Sequence, residues 1–261
     1  MDFISVKTLG TGAADHEWSR IGDSNVRGSA TTLVDHKIMI DCGVTGISNL
    51  TRAGVDPNDV EVLMITHGHV DHCKFEEIDK LLKSSDKKIK IIADKWLIDS
   101  FAQVNNNFIP CPLACGEETV IDENISVMAL PANHQVPGED IPRHYLFKTS
   151  CGNLLYALDG AWMIRQARNL IGKTKLDMVI WDATMSEAGN WRIFEHNDVT
   201  MINTMAQVLK TDGVISENTQ IILTHMARTL WPEFQEDCQA IADEYGFTAA
   251  FDGAEFELKL V

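Results

Sequence analysis

Residues 60–73, Val-Glu-Val-Leu-Met-Ile-Thr-His-Gly-His-Val-Asp-His-Cys, decide the fold. The first half is an apolar, β-branched run of the kind that forms a strand buried on both faces. The second half places His67, His69, Asp71 and His72 directly after that strand. Buried in a core, each imidazole and the carboxylate would require its own polar partner. On a turn leaving a strand, alternate residues can instead point into one cavity, and nitrogen and oxygen ligands suit zinc, manganese or iron.

Working outward, residues 2–9 read as a strand, followed by a long polar loop from Gly10 to Gly28. Stretches 29–35 and 37–43 read as two strands turning tightly at His36. A helix is expected over 45–53, closed by Gly54, and others over 74–83 and 94–102, with a strand at 89–93 between them. Stretch 118–160 is mostly strand-like. Helices near 162–171, 199–210 and 232–245 and strands at 177–182 and 219–224 follow, Asp198 being the N-cap candidate of the second helix. TAAF and EFELKL close the chain as strands. No linker, repeat or low-complexity stretch divides it, so residues 1–261 read as one domain. The expected fold class is α/β, with two sheets packed together and helices outside.

The chain of 261 residues carries 22 Lys plus Arg against 38 Asp plus Glu, a net charge of −16. That balance disfavours nonspecific attraction to nucleic acid or to an anionic membrane. No apolar run approaches the roughly 20 residues that cross a bilayer. The opening MDFISVKTLGTG lacks the pattern of a signal peptide, so a cytoplasmic location is expected. Six cysteines scattered through so long a chain read as reduced thiols. Cys111 and Cys115 form a lone C-x3-C without the two further ligands that a tetrahedral zinc needs.

Thr66 through His72 resembles the T-H-x-H-x-D-H signature of the metallo-β-lactamase-fold hydrolases, and the resemblance runs nearly end to end. His134 follows Pro131-Ala132-Asn133, Asp159 stands in Tyr156-Ala157-Leu158-Asp159-Gly160, and His225 follows Ile222-Leu223-Thr224, all in family order. The resemblance implies a four-layer αββα sandwich with two divalent metal ions at one edge. His67, His69 and His134 would hold one ion, Asp71, His72 and His225 the other, and Asp159 would bridge them. Zinc is the leading expectation, with manganese and iron as alternatives.

Thr8–Gly12, Arg27–Ala30, Ile40–Gly43 and the closing Ala250–Gly253 look like the phosphodiesterase branch. That branch includes tRNA-end-processing endonucleases and PhnP-type phosphoribosyl cyclic phosphate phosphodiesterases. There Asp41 would support the metal motif from behind, and His196 would be an extra active-site histidine. Two departures stand out. Residues 10–28 contain no Cys for the structural zinc of the PhnP-type enzyme, and no basic Gly-rich arm for gripping tRNA is evident.

Two metals about 3.5–4 Å apart can share one hydroxide and bring the pKa of its parent water towards neutrality. In-line attack on a cyclic or linear phosphodiester is the expected reaction, with Asp71 and His196 as catalytic residues and a small, nucleotide-like substrate. Arg27, Ser24 and Asn25 are candidate phosphate contacts, and His16, Trp18 and Arg20 candidate walls of the pocket. The alternatives are thioester or lactone hydrolysis at the same centre, or a metal-bound module without turnover. A homodimer is common among relatives, which is analogy alone.

Overall fold

The computed structural model describes residues 3–23 and 26–261. The expected phosphate contacts Ser24 and Asn25 therefore lie outside the described residues.

One seven-stranded sheet runs in the order β14-β1-β2-β3-β4-β5-β6. Its strands are β1 (Ile4–Gly10), β2 (Thr31–Val34), β3 (Ile38–Ile40), β4 (Val62–Met64), β5 (Lys90–Ala93), β6 (Ile109–Pro112) and β14 (Glu255–Leu258). The other is ordered β13-β12-β11-β10-β9-β8-β7. It contains β7 (Glu118–Val120), β8 (Ile125–Pro131), β9 (Arg143–Thr149), β10 (Gly152–Ala157), β11 (Met178–Asp182), β12 (Gln220–Thr224) and β13 (Thr248–Ala249). Each half of the chain thus builds one sheet, except that the last strand crosses back to pair antiparallel with β1.

Period-two alternation explains the layering. Ile38, Ile40, Val62 and Met64 point between the sheets and meet Met178 and Ile180 there. Met39, Leu63 and Ile65 point the other way, onto α1 (Gly46–Ala53), α2 (Phe75–Ser84) and α3 (Lys95–Ala102). Val179 and Trp181 likewise face α4 (Arg165–Ile171), α5 (Val199–Thr211) and α6 (Gln235–Asp243). Central strands must be apolar on both faces in this arrangement, as the run at 60–65 is.

Local signals are obeyed where they were strong. Gly54 closes α1 in the left-handed region at φ 67°, and the Asp198 side chain accepts from the Met201 N–H at the start of α5. Strand β6 was not expected. Its sequence, Ile-Pro-Cys-Pro, reads as a breaker, but it lies at the sheet edge where Pro is tolerated. Among the described residues no helix is long and apolar enough to cross a membrane.

The topology decides where chemistry collects. β3, β4, β5 and β6 are mutually parallel, as are β10, β11, β12 and β13. Their carboxyl ends open onto one edge of the sandwich, the place where α/β sheets bind ligands.

Candidate metal centre

Each candidate ligand leaves the end of a strand. Asp41 follows β3, the His67–His72 turn follows β4, His134 follows β8, Asp159 follows β10 and His225 follows β12. Asp41, Asp159 and His225 have φ of 63°, 54° and 60°. Non-glycine residues held there carry strain of order 1–3 kcal/mol each, and such strain collects at functional sites. Gly43 lets the chain leaving β3 run against the metal turn, since a Cβ there would collide with the Asp71 carbonyl. Cys42 N–H donates to the His72 carbonyl at 2.8 Å alongside.

The rings are oriented from outside. His134 Nδ1 lies 3.1 Å from the Glu195 carbonyl; a carbonyl only accepts, so this nitrogen carries the proton. His72 Nδ1 donates to Asp41 Oδ2 at 2.8 Å. His67 Nδ1 donates to Thr66 Oγ1 at 3.0 Å, and that hydroxyl donates to Asp41. His225 Nδ1 donates to Thr184 Oγ1 at 2.8 Å, and Thr184 passes its own proton to Asp182. The Nε2 lone pairs of all four rings are therefore left facing inward, as ligating histidines require.

Two pockets result. His67 Nε2 and His134 Nε2 stand 3.0 and 3.1 Å from His69 Nδ1, and both lie 3.4 Å from Asp159 Oδ2. In the second pocket His72 Nε2 and His225 Nε2 are 3.1 Å apart. Asp71 Oδ2 is 3.5 Å from each of these nitrogens, and Asp159 Oδ1 is 3.3 Å from His72 and 3.0 Å from His225. Asp159 thus turns one carboxylate oxygen to each pocket.

Its Oδ1 is buried with no hydrogen-bond partner among the described residues. Inward lone pairs this close repel unless a positive charge lies among them, so the donor set fits one divalent cation per pocket. The expected ligands are all brought together.

Charge divides the pockets. Burial, reinforced by His72, holds His67 well below the ordinary imidazole range, and burial also lowers His69. His72 and His225 are as deeply buried, but Asp159 above all outweighs that burial. It is joined by Asp71 and Asp41 around His72, and by Asp182 and Asp71 around His225, which reaches about 10. Asp159 itself stays well below the carboxylate range despite burial, because His225 and His72 flank it.

A cavity of about 410 Å³ opens onto this centre, lined by His69, Asp71, His134, Asp159, His196 and His225, together with Ala13, Ala14, Asp15, Val70, Thr184, Arg192, Glu195 and Ala227. His196 Nδ1 donates to Asp182 Oδ2 at 2.9 Å, and its ring stands 5.1 Å from that of His134 and 5.4 Å from that of His225. Asp182 raises the His196 pKa against the opposing effect of burial.

Two expectations require correction. Arg27 is no phosphate contact at this centre: it is tied to Thr11 Oγ1 at 2.7 Å, the Ala250 carbonyl at 2.8 Å and Gln235 Oε1 at 2.7 Å, and it does not line the cavity. His16, Trp18 and Arg20 do not line it either; His16 is buried and stacks on Trp18, while Ala13, Ala14 and Asp15 form that wall.

Asp182, Thr184 and Arg192 escaped the sequence reading. Asp182 ends the apolar strand β11 as Asp41 follows β3, which was the available signal. Asn197 also escaped. It donates to the Gly160 carbonyl and accepts from Trp162 N–H, tying the Asp159 turn to the His196 segment.

The family described as Anti-Pycsar protein Apyc1 matches residues 4–106, less than half of the chain. No curated protein sequence matches. Solved structures do. The metallo-β-lactamase-fold protein YhfI from Bacillus subtilis superposes with a TM-score of 0.75 at 13% identity, over 98% of this chain and 100% of that one. The short form of human tRNase Z (ELAC1) gives 0.73 at 16%, over 98% and 100%. A diphosphatase of the PhnP family gives 0.71 at 18%, over 99% and 100%. Identities this low carry the architecture and leave the chemistry to the site. The two sheets, their flanking helices and these superpositions together show that the chain has the metallo-β-lactamase fold.

Proposed function

We propose that this chain is a metal-dependent hydrolase with two divalent ions, zinc foremost, acting on small phosphodiesters. One observation carries the reading: Asp159 presents Oδ2 to the His67/His69/His134 pocket and Oδ1 to the Asp71/His72/His225 pocket. When bound, two such ions supply Lewis acidity and bring the pKa of water towards neutrality. Both sheets contribute ligands, so the centre needs both halves of the sandwich.

The chain's own residues do the rest. His196 stands beside both pockets without being needed to fill either. With Nδ1 committed to Asp182, its Nε2 is free to carry a proton into the cavity. The Asp182 carboxylate favours that protonated form, so His196 is placed to donate to a leaving or non-bridging oxygen. The phosphoester choice is supported by this donor and by two fold relatives described as a diphosphatase and a tRNase.

Initial rates of the metal-loaded protein on linear and cyclic phosphodiesters, a glutathione thioester and an acyl-homoserine lactone test the reading. At least one phosphodiester is expected to turn over fastest. A thioester or lactone outrunning every phosphodiester would overturn it.

A further inference from the structure

The turn that carries the bridging carboxylate is strained at both ends. Asp159 opens it at φ 54° and Trp162 closes it at φ 53°, both in the left-handed region. A bulky aromatic residue there is a genuine outlier, because its Cβ crowds the backbone. Unheld, the segment 159–162 would relax and carry Asp159 out of line with the pockets. Such a conformation persists only where the surroundings over-determine it.

Asn197 supplies the strongest of those restraints. It is 0% exposed, and both ends of its amide are bound to this turn. Nδ2 donates to the Gly160 carbonyl at 2.8 Å, and Oδ1 accepts from Trp162 N–H at 2.9 Å. Its own carbonyl accepts from Met185 N–H at 3.2 Å, which anchors the clamp to the segment after β11. Asn133 grips the turn from the other side. Ala161 N–H donates to its carbonyl at 3.1 Å, and its Nδ2 donates to the Ala161 carbonyl at 2.5 Å. Asn133 is exposed, so water can take over its side-chain bond. Water does not reach Asn197, and a buried peptide group that loses its partner is costly.

We infer that Asn197 is a positioning residue for the bridging carboxylate: it holds the strained turn 159–162 in the form that lets Asp159 face both pockets. The inference rests on the two-ion reading and deepens it. Without Asn197 the turn divides between held and relaxed forms, and metal affinity falls by the fraction that stays held. Glycine at position 162 accepts φ 53° without a steric cost. It should therefore restore the held form in the absence of the clamp.

Zinc titration of the metal-free protein against a competing chelator tests this without any substrate. N197A is expected to weaken zinc about 10–100-fold at both pockets, as loss of a supporting partner does. The N197A/W162G double variant should recover between about fivefold and thirtyfold, the left-handed cost of a side chain expressed as affinity. N197A/W162A should recover nothing, since alanine keeps the Cβ that makes this turn costly. Wild-type affinity in N197A overturns the inference, as does equal recovery with glycine and alanine or no recovery with either. Should N197A not fold, W162V reads the same link with the clamp in place. A β-branched residue raises the left-handed cost, so zinc should weaken, and unchanged affinity would overturn the inference. A wild-type protein that binds fewer than two zinc ions removes instead the two-ion reading beneath it.

Discussion

The two pockets share a bridging carboxylate and differ in what stands behind them. Behind the His67/His69/His134 pocket are a hydroxyl and a backbone carbonyl, Thr66 Oγ1 and Glu195 C=O, with Asp41 reached only through that hydroxyl. Its turn is pinned by Asp140, which accepts from Gly68 N–H at 2.7 Å. Behind the Asp71/His72/His225 pocket stand two buried carboxylates, Asp41 directly and Asp182 through Thr184. In the first pocket burial works against protonation of His67 and His69, whereas the carboxylates around the second make it a strongly negative enclosure that attracts cationic charge. A fold can thus make two unlike cation sites around one shared carboxylate by exchanging a histidine for Asp71 and changing the groups behind the rings.

The largest effect should come from removing what the pockets share. Asp159→Ala is expected to lose metal from both and to fall to the uncatalysed background in the phosphodiester assay. A folded, fully active variant would break the comparison, because the pockets would then not be joined.

His196→Ala should keep both metals and lower kcat by roughly 10²–10⁴-fold, most severely for poor leaving groups, as expected for a lost proton donor. Loss of metal would make His196 a ligand, and wild-type rates on poor leaving groups would make it a bystander.

Asp41→Asn sharpens the contrast between the pockets. An amide facing His72 Nδ1 can donate to it, which forces the ring proton onto the inward Nε2. Weakening of about 10–100-fold is expected for the second pocket, which Asp41 touches directly, and less for the first, which it reaches only through Thr66; a metal titration should read one tight and one weak equivalent. Equal weakening of both sites would contradict the division.

The last effect is on stability rather than on metal or rate, and concerns the first pocket's support. Burial pushes the Asp140 carboxyl up to about 6, although Gly68 N–H and Arg143 pull it down. Folding therefore favours its proton. The stability this proton contributes is present below the ordinary pKa of 3.8 and is lost as pH rises through about 6. Asp140→Asn still accepts from Gly68, so relative to wild type it should gain of order 2–3 kcal/mol between pH 4 and 7. Denaturant unfolding of both proteins across that range checks it; a constant difference would show that Asp140 does not titrate with folding.

How much of this was legible in sequence follows from how far apart the interacting residues are. The His67–His72 turn could be read directly because four closely spaced positions, His67, His69, Asp71 and His72, carry its chemistry after an unmistakable strand. His134, Asp159 and His225 became legible through the resemblance and their order, each at a strand end. Arg27 misled because its partners Gln235 and Ala250 lie more than 200 residues away and become neighbours only when α6 and the chain after β13 pack beside the first loop. Asp182 looked like an ordinary strand end, since its meaning depends on His196 and His225 arriving from other segments. Arg192 gave no periodic signal, because the 3-10 turn of four residues that carries it, Trp191–Phe194, is too short to show one.

The number of metals held by the wild-type protein tests the joined pockets most directly. Elemental analysis after saturation with zinc and removal of excess should approach two equivalents per chain, with both lost together in Asp159→Ala. A single equivalent at saturation, or two that persist in Asp159→Ala, would contradict a centre built of two pockets joined by one carboxylate.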